Sequence, residues 1–200
     1  MNRPTVIFDL GGVLLHIQYR RFLETLGLDQ TLDESSLLQT MRHDGRLYER
    51  GVISTAEFFQ ELRGRLGTSH DDQQLHEAWY TILDSEIDGM RDLVGWLARH
   101  ESLYLLSNTN ELHFEYALQT FPVMRMFKDY FLSYRIGWMK PSREIYRHVV
   151  YALGRKPEDL FFTDDVRENV EAAKQVGLHG ELFTGVDALR RRLIDMGFTG

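Results

Sequence analysis

No cysteine occurs among the 200 residues, which excludes disulfide bridges, thiolate nucleophiles and metal sites with cysteine ligands. The chain also lacks an apolar stretch as long as a membrane-spanning helix needs. The apolar run that starts at Val6 begins too early for a cleavable signal segment to precede it. We therefore expect a cytoplasmic protein with no membrane partner.

Basic residues are fewer than acidic ones, with 23 Lys and Arg against 30 Asp and Glu and a formal net charge of −7. This balance disfavours nucleic acid as a partner. The most basic run, Arg190-Arg191-Arg192, lies between Asp187 and Asp195, which is typical of a solvated helix face. The expected partner is a small molecule, and the expected assembly is a monomer or a homodimer.

The stretch from Val6 to Leu14 combines an apolar run, the carboxylate of Asp9 and two glycines. The run up to Phe8 predicts a buried strand, which would place Asp9 at the strand's carboxyl end. Open α/β sheets bind their ligands at that end. Taken alone, Asp9 could equally cap a turn that the two glycines permit.

From residue 92 onward, helical and strand-like patterns alternate, which predicts an α/β fold with a parallel sheet covered by helices. Ser142, just after Pro141, is a good N-cap for a helix that Gly154 would end. The further predicted strands are residues 102–107, 129–133, 160–163 and 181–183.

Residues 16–88 show no comparable strand pattern and are predicted to form several amphipathic helices. Ser54 and Glu57 have the spacing of a capping box, and Leu75, Trp79 and Ile82 form an apolar stripe that favours core packing. We predict a catalytic core of residues 1–15 and 89–200 and a helical cap of residues 16–88 that folds over Asp9 as a lid.

Polar groups follow three predicted strands: Asp9, then Ser107 and Asn108, then the pair Asp164-Asp165. Carboxylates brought together repel one another unless a cation holds them, and an all-oxygen set suits Mg²⁺. Ser107, Asn108 and Lys140 would supply a hydroxyl, an amide and a mobile positive charge for an anion. The pattern therefore predicts a site for an anion bound next to a metal ion.

These motifs, in this order and with an insertion of this length, resemble the haloacid dehalogenase-like superfamily over essentially the whole chain. The resemblance rests on Phe8-Asp9-Leu10-Gly11-Gly12-Val13, Leu106-Ser107-Asn108-Thr109-Asn110, Lys140-Pro141 and Phe162-Thr163-Asp164-Asp165. Ser107-Asn108-Thr109-Asn110, Tyr48-Glu49-Arg50-Gly51 and Lys140-Pro141 with Tyr146 resemble the bacterial subgroup that includes glucose-1-phosphate phosphatases. The resemblance implies a Rossmann-like core with strand order 5-4-1-2-3 and an inserted helical cap of the C1 type.

The resemblance also implies a Mg²⁺-dependent phosphatase, with Asp9 as the nucleophile that takes up the phosphoryl group. The implied metal ligands are Asp9, the Gly11 carbonyl oxygen and Asp165, with Asp164 and Asn169 supporting them or acting through water. Ser107 and Asn108 would hold the phosphate, and Lys140 would neutralise the carboxylates and the transferring group. Charge neutralisation and positioning would supply most of the rate acceleration.

The sequence departs from the family pattern at Gly11, where most phosphatases of the superfamily carry an aspartate that acts as general acid. The absence of a general acid typically removes about 10²–10⁴ in rate. We therefore expect a preference for leaving groups of low pKa, such as a sugar 1-phosphate. His16, just after the first strand, is a candidate for the missing acid. It could equally be a partly exposed residue at the entry to the cap that has no catalytic role.

A dense polar group in the cap could recognise the hydroxyls of a sugar, or could equally form a solvated surface. Two residues just beyond the second motif are similar specificity candidates. The set is His43, Asp44, Arg46, Tyr48, Glu49 and Arg50 in the cap, with Asn110 and His113 beyond the motif.

Two further interpretations remain open from the sequence. A dehalogenase would use Asp9 to attack carbon and needs no metal, which leaves the Asp164-Asp165 pair without a purpose. The chain could instead be a non-catalytic interaction protein, in which Gly11 would mark the loss of catalytic turnover. Asp9, Lys140 and the Asp164-Asp165 pair would then have no role.

Overall fold

The computed structural model describes residues 3–198, apart from the side chain of Thr40. The strands are β1 (Thr5–Phe8), β2 (Leu15–Ile17), β3 (Leu83–Glu86), β4 (Tyr104–Ser107), β5 (Asp129–Leu132), β6 (Leu160–Asp164) and β7 (His179–Leu182). The first helices are α1 (Tyr19–Thr25), α2 (Glu34–Glu49), α3 (Thr55–Leu66), α4 (Asp72–Tyr80) and α5 (Met90–Ala98). They are followed by α6 (Glu111–Thr120), α7 (Ser133–Ile136), α8 (Arg143–Leu153), α9 (Arg167–Val176) and α10 (Val186–Asp195), with 3₁₀ turns at Pro122–Met126 and Pro157–Asp159.

Five strands form a parallel sheet in the order β5-β4-β1-β6-β7. Counted along the core alone and read from the β7 edge, this is the predicted order 5-4-1-2-3, and the α/β Rossmann-like fold is confirmed. The central strand is covered on both faces, because Val6 and Phe8 belong to one apolar cluster and Ile7 to another. This double burial explains the uninterrupted apolar run before Asp9.

A second, two-stranded antiparallel sheet pairs β2 with β3, with Leu15 opposite Glu86 and Ile17 opposite Leu83. The expectation of no strand between residues 15 and 88 was therefore wrong. Neither strand has a sequence signal, since β2 spans three residues and β3 reads Leu-Asp-Ser-Glu, which is poor in strand-forming residues. Long-range pairing, rather than local preference, creates this ribbon where the chain enters and leaves the cap.

The predicted helices of the insertion are present as α1 to α4 and share an apolar cluster of their own, which includes Phe22, Phe58 and Trp79. The capping box at the start of α3 is confirmed, because Ser54 accepts from the Glu57 backbone and Glu57 from the Ser54 backbone. Ile17 packs against both this cluster and the cluster of the main sheet. The exact domain boundaries at residues 15 and 88 stay a prediction.

The helix predicted after Pro141 is α8, and Gly154 follows it in the left-handed conformation with φ 59°. Ser142 occupies the N-cap position, but its hydroxyl donates to the Glu144 carboxylate instead of accepting from the helix backbone. The two predicted strand ends that matter for the site are displaced by a single residue at most, since β4 ends at Ser107 and β6 at Asp164.

Candidate active site

The carboxyl ends of β1, β4 and β6 meet at one edge of the sheet and place Asp9, Ser107 and Asp164 there. All three side chains are buried. Asp9 and Ser107 line a cavity of about 690 Å³ to which the cap helices also contribute residues, including Tyr48. The predicted convergence of the motif residues is thus present in the structure.

Lys140 neutralises two of the carboxylates at this edge. Its Nζ lies 2.6 Å from Asp9 Oδ1 and 2.6 Å from Asp164 Oδ2, and its side chain is almost fully buried. Burial alone would lower the pKa of Lys140, but the charges of Asp9 and Asp164 raise it above its usual value. The lysine is therefore a fixed cation within the site.

Asn108 holds the backbone of Lys140 in place. Its Nδ2 donates to the Lys140 carbonyl oxygen at 2.9 Å, and its Oδ1 accepts from the Lys140 N–H at 2.8 Å. The sequence suggested only phosphate binding for Asn108, whereas the structure shows that both ends of its amide group contact the loop that carries the lysine.

Three carboxylates, those of Asp9, Asp164 and Asp165, each place one oxygen within 4.8 Å of the others. Burial raises the pKa of Asp9 to about 7, with Lys140 opposing this rise and Asp164 adding to it. Burial, followed by the charge of Asp164, also raises the pKa of Asp165. A single lysine does not compensate two buried carboxylates and the exposed carboxylate of Asp165 beside them, so the residues present fit a divalent cation held by oxygen ligands.

Asp164 is saturated by donors from the protein. Besides Lys140, its oxygens accept from Asn169 Nδ2 at 3.0 Å and from the Val166 N–H at 2.8 Å. Asn169 is itself fixed, because its carbonyl oxygen accepts from the Tyr146 hydroxyl at 2.8 Å. Asp9 and Asp165 are consequently the carboxylates with more capacity left for a metal ion.

Two neighbouring glycines shape the loop after Asp9. A Cβ on Gly12, whose φ is +74°, would lie far inside contact distance of the Asp165 carboxylate. A Cβ on Gly11 would lie 3.0 Å from Ile17 Cγ1 and 3.2 Å from its Cδ1. Ile17 of β2 therefore lies against the position where the family pattern that the sequence resembles would place an acidic side chain.

The structure brings most of the proposed specificity residues to the cavity, but not all of them. His16, Tyr48, Glu49, Asn110 and His113 line it. Arg46, His43 and Arg50 line a different surface cleft on the outside of α2, and Asp44 forms an ion pair with Arg65 at 2.7 Å. None of these four residues lines the cavity that contains Asp9.

Asn110 and His113 connect the core to the cap. The Asn110 side chain accepts from the His113 N–H at 3.0 Å, and the His113 ring stacks on Trp79 with centroids 4.8 Å apart. His113 Nε2 lies 2.9 Å from the Trp79 carbonyl oxygen, and burial lowers the pKa of His113 to about 4. A neutral His113 that donates to Trp79 makes this contact a structural junction.

Tyr48 packs within the cap as well as lining the cavity. Its ring stacks on Phe58 at 4.6 Å, its hydroxyl lies 2.9 Å from Thr55 Oγ1, and burial raises its pKa to about 12. Sequence reasoning missed Tyr19 and assigned Trp79 to the core alone, yet both line the cavity. An aromatic residue in an amphipathic helix gives no signal that distinguishes cavity from core.

Residues 4–177 match the family model described as haloacid dehalogenase-like hydrolase. The chain belongs to this family. It is therefore a hydrolase. A haloacid dehalogenase-like (HAD-like) enzyme has the strand order, the cap insertion and the acidic sheet edge that are described above.

The HAD-like hydrolase is similar in sequence to characterised enzymes. It is 25% identical over 181 residues to D-ribitol-5-phosphate phosphatase of Bacteroides thetaiotaomicron. The matched region covers 86% of this chain and 87% of that protein. It is 30% identical over 154 residues to flavin mononucleotide hydrolase 1 of Arabidopsis thaliana, covering 75% of this chain and 60% of that protein.

Solved structures show the same similarity. A HAD family enzyme from Bacteroides thetaiotaomicron, in complex with magnesium and inorganic phosphate, has a TM-score of 0.81 and 29% identity, over 90% of this chain and 94% of that chain. L-2-haloacid dehalogenase from Xanthobacter autotrophicus has a TM-score of 0.64 and 17% identity, over 100% of this chain and 85% of that chain, which shows a shared fold alone. Within residues 3–198, no helix has the length and hydropathy needed to cross a bilayer.

Proposed function

We propose that this HAD-like hydrolase is a Mg²⁺-dependent phosphatase that hydrolyses a small phosphorylated metabolite through an aspartyl phosphate on Asp9. The observation that carries this proposal is the lysine between two carboxylates, with Lys140 Nζ 2.6 Å from both Asp9 and Asp164. Asp9 and Lys140 line the cavity between the core and the cap. A nucleophilic carboxylate next to a fixed cation suits attack on a phosphate dianion, whose negative charge would otherwise repel it.

The metal ion would be held by Asp9, the Gly11 carbonyl oxygen and Asp165. Asp164, whose oxygens already accept from Lys140, Val166 and Asn169, would orient the lysine and bind the metal only through water. When bound, Mg²⁺ supplies positive charge that stabilises the transferring phosphoryl group. The related enzyme that was crystallised with magnesium and inorganic phosphate supports a metal-dependent phosphatase.

In the first step, an Asp9 carboxylate oxygen attacks phosphorus and the ester oxygen departs. In the second step, water hydrolyses the aspartyl phosphate and restores Asp9. Lys140 stays paired with Asp9 and offsets the charge of the phosphoryl group, while the Ser107 hydroxyl and the remaining amide proton of Asn108 hold its oxygens. Asp9 is buried and shares its cavity with residues of the cap, so a bound substrate would displace water from around the carboxylate.

The substrate class is a phosphate monoester with a compact leaving group, and a sugar 1-phosphate is the candidate that follows from Gly11. The related enzymes named above act on a polyol phosphate and on flavin mononucleotide, so phosphorylated metabolites of different shapes fit this fold. Turnover of glucose 1-phosphate should exceed that of glucose 6-phosphate. Faster turnover of the 6-phosphate would show that the leaving group does not determine the choice of substrate.

Hydrolysis of p-nitrophenyl phosphate with Mg²⁺, with a chelator and with Asp9→Asn tests the function itself. We expect activity only in the wild-type protein with Mg²⁺. Activity that survives the chelator would exclude the metal-dependent mechanism, and halide release from a 2-haloacid would identify a dehalogenase instead.

A further inference from the structure

The reaction proposed above lacks a proton donor on the catalytic loop. Residue 11 is glycine, and Ile17 occupies the space beside it, so no side chain on this loop can protonate the leaving oxygen. A leaving oxygen of high pKa therefore needs a proton donor from another wall of the cavity. Glu49, the last residue of α2, is a carboxylic acid of the cap that lines the same cavity as Asp9 and Lys140.

The backbone of Glu49 is bound to the core, although the residue belongs to the cap. Ser133 Oγ donates to the Glu49 carbonyl oxygen at 2.5 Å. The same hydroxyl accepts from the Thr109 N–H at 2.9 Å, and Thr109 follows directly on the phosphate-binding motif at the end of β4. One serine thus fixes the position of Glu49 relative to Ser107 and Asn108.

The next two residues strengthen this junction. Arg50 Nε donates to the Gly137 carbonyl oxygen at 3.2 Å. Gly51 has a φ of +66°, and a Cβ there would lie far inside contact distance of the Tyr134 carbonyl oxygen. Residues 49–51 therefore rest on α7 and its C-terminal turn, and the Glu49 side chain leaves this junction on the cavity side.

The carboxyl group of Glu49 is partly buried and has no hydrogen bond or ion pair within residues 3–198. Burial raises its pKa to about 7, while Arg46 and Lys140 oppose this rise. Tyr19 of α1 lines the same cavity, and burial, with the charges of Glu49 and Glu34, raises the pKa of Tyr19 to about 12. An acid in this range is well matched to proton transfer at neutral pH.

We propose that Glu49 takes over the role of the absent acid, protonating the leaving oxygen in the first step and activating water in the second. The inference rests on the proposed phosphatase function. As Asp9 bonds to phosphorus, the bond between phosphorus and the ester oxygen breaks, and that oxygen takes the Glu49 proton. The Glu49 carboxylate then accepts a proton from water, whose oxygen displaces Asp9 from phosphorus and releases inorganic phosphate, which restores the protonated acid.

Two aryl phosphates of similar shape test this role, because they differ in how much their leaving oxygen needs a proton. Nitrophenolate departs readily without a proton, whereas phenolate, with a pKa near that of tyrosine at about 10, departs less easily. In Glu49→Gln, kcat/KM for phenyl phosphate should fall at least about 10²-fold, and that for p-nitrophenyl phosphate less than about tenfold. The fall of wild-type activity as the pH rises through the pKa of the acid should disappear in this variant.

Glu49→Asp should recover part of the phenyl phosphate activity, and Glu61→Gln, on the exposed side of α3, is the matched control. An equal loss on both substrates would assign Glu49 to substrate binding or folding, and no loss would leave it without a role, so either result overturns the proposal. Failure of the phosphatase function is a separate outcome, since wild-type activity towards p-nitrophenyl phosphate would then be absent or insensitive to a chelator.

Discussion

The carboxylate of Asp165 occupies the space into which a side chain on Gly12 would project. The loop after Asp9 therefore sets how closely Asp165, one predicted metal ligand, approaches Asp9, another. Gly12 has a positive φ of +74°, so a replacement would also strain the backbone, and the two effects must be separated by experiment.

Gly12→Ala should weaken metal activation, because its methyl group displaces Asp165. We expect the Mg²⁺ concentration for half-maximal activity to rise at least about tenfold, equivalent to about 1.4 kcal/mol. Gly27→Ala is the matched control, since Gly27 has a similar φ of +65° but no atom within 4 Å of the Cβ it would gain. Equal Mg²⁺ curves for the two variants would show that strain alone, and not the Asp165 contact, accounts for the effect.

Asp9→Asn should stabilise the metal-free protein at alkaline pH. Folding raises the pKa of Asp9 from 3.8 to about 7. The contribution of the protonated Asp9 carboxyl to the free energy of unfolding is therefore fully present below pH 3.8 and is lost as the pH rises through 7. The neutral amide that Asp9→Asn introduces does not ionise, so it carries no cost of burying a charge at high pH. In a chelator-containing buffer, the variant should have the higher melting temperature at pH 8, and the difference should shrink as the pH falls to 4.5.

Asp195→Asn, a neutralisation on the exposed surface of the last helix, is the control for this comparison. A variant that melts below the wild-type protein at pH 8 would mean that the ion pair between Asp9 and Lys140 outweighs the cost of burying the carboxylate.

An acid on the catalytic loop should become useful only when Ile17 is removed. Gly11→Asp in the wild-type background should lower kcat/KM for phenyl phosphate, because its Cβ lies against Ile17 Cγ1. In an Ile17→Ala background, the same change should raise kcat/KM relative to Ile17→Ala alone. If Gly11→Asp had the same effect in both backgrounds, Ile17 would not be what excludes the acid.

His16→Ala should change kcat less than about threefold and leave the pH profile intact. His16 is exposed on β2, and no hydrogen bond or ion pair holds it among the residues that the structure describes. An acid must be positioned to act, so a solvated imidazole at the mouth of the cavity is a poor donor. A large loss of activity on p-nitrophenyl and phenyl phosphate, with an altered pH profile, would instead identify His16 as the acid.

The parts of the site that the sequence predicted are those at the ends of apolar runs. Leu105 and Leu106 before Ser107, and Phe161 and Phe162 before Asp164, mark strands that are buried on both faces. A polar residue at the end of such a run has a placement that follows from the topology of the sheet. The sheet order and the convergence of these groups could therefore be predicted before any coordinates.

Contacts between distant loops could not be predicted from the sequence, because they form only in the tertiary structure. Asn108 and Lys140 are 32 residues apart, and Ser133 and Glu49 are 84 residues apart, so neither hydrogen bond has a local pattern. The same holds for the pairing of β2 with β3, whose residues favour a strand only once the partner is present. Chemistry that depends on such contacts, including the environment of Glu49, becomes visible only in the folded chain.

The ribbon of β2 and β3 also bears on how this enzyme could acquire new substrates. With Ile17 opposite Leu83, the two ends of the inserted segment leave the core side by side, as the ends of a hairpin loop do. The number of residues between them has little influence on the register of the main sheet, because loop closure costs only about 0.6 kcal/mol for each doubling of length. Outside the junction at Glu49, residues 18–82 can thus change in length and in the side chains that recognise a substrate, while the sheet that carries Asp9 and Asp164 keeps its register.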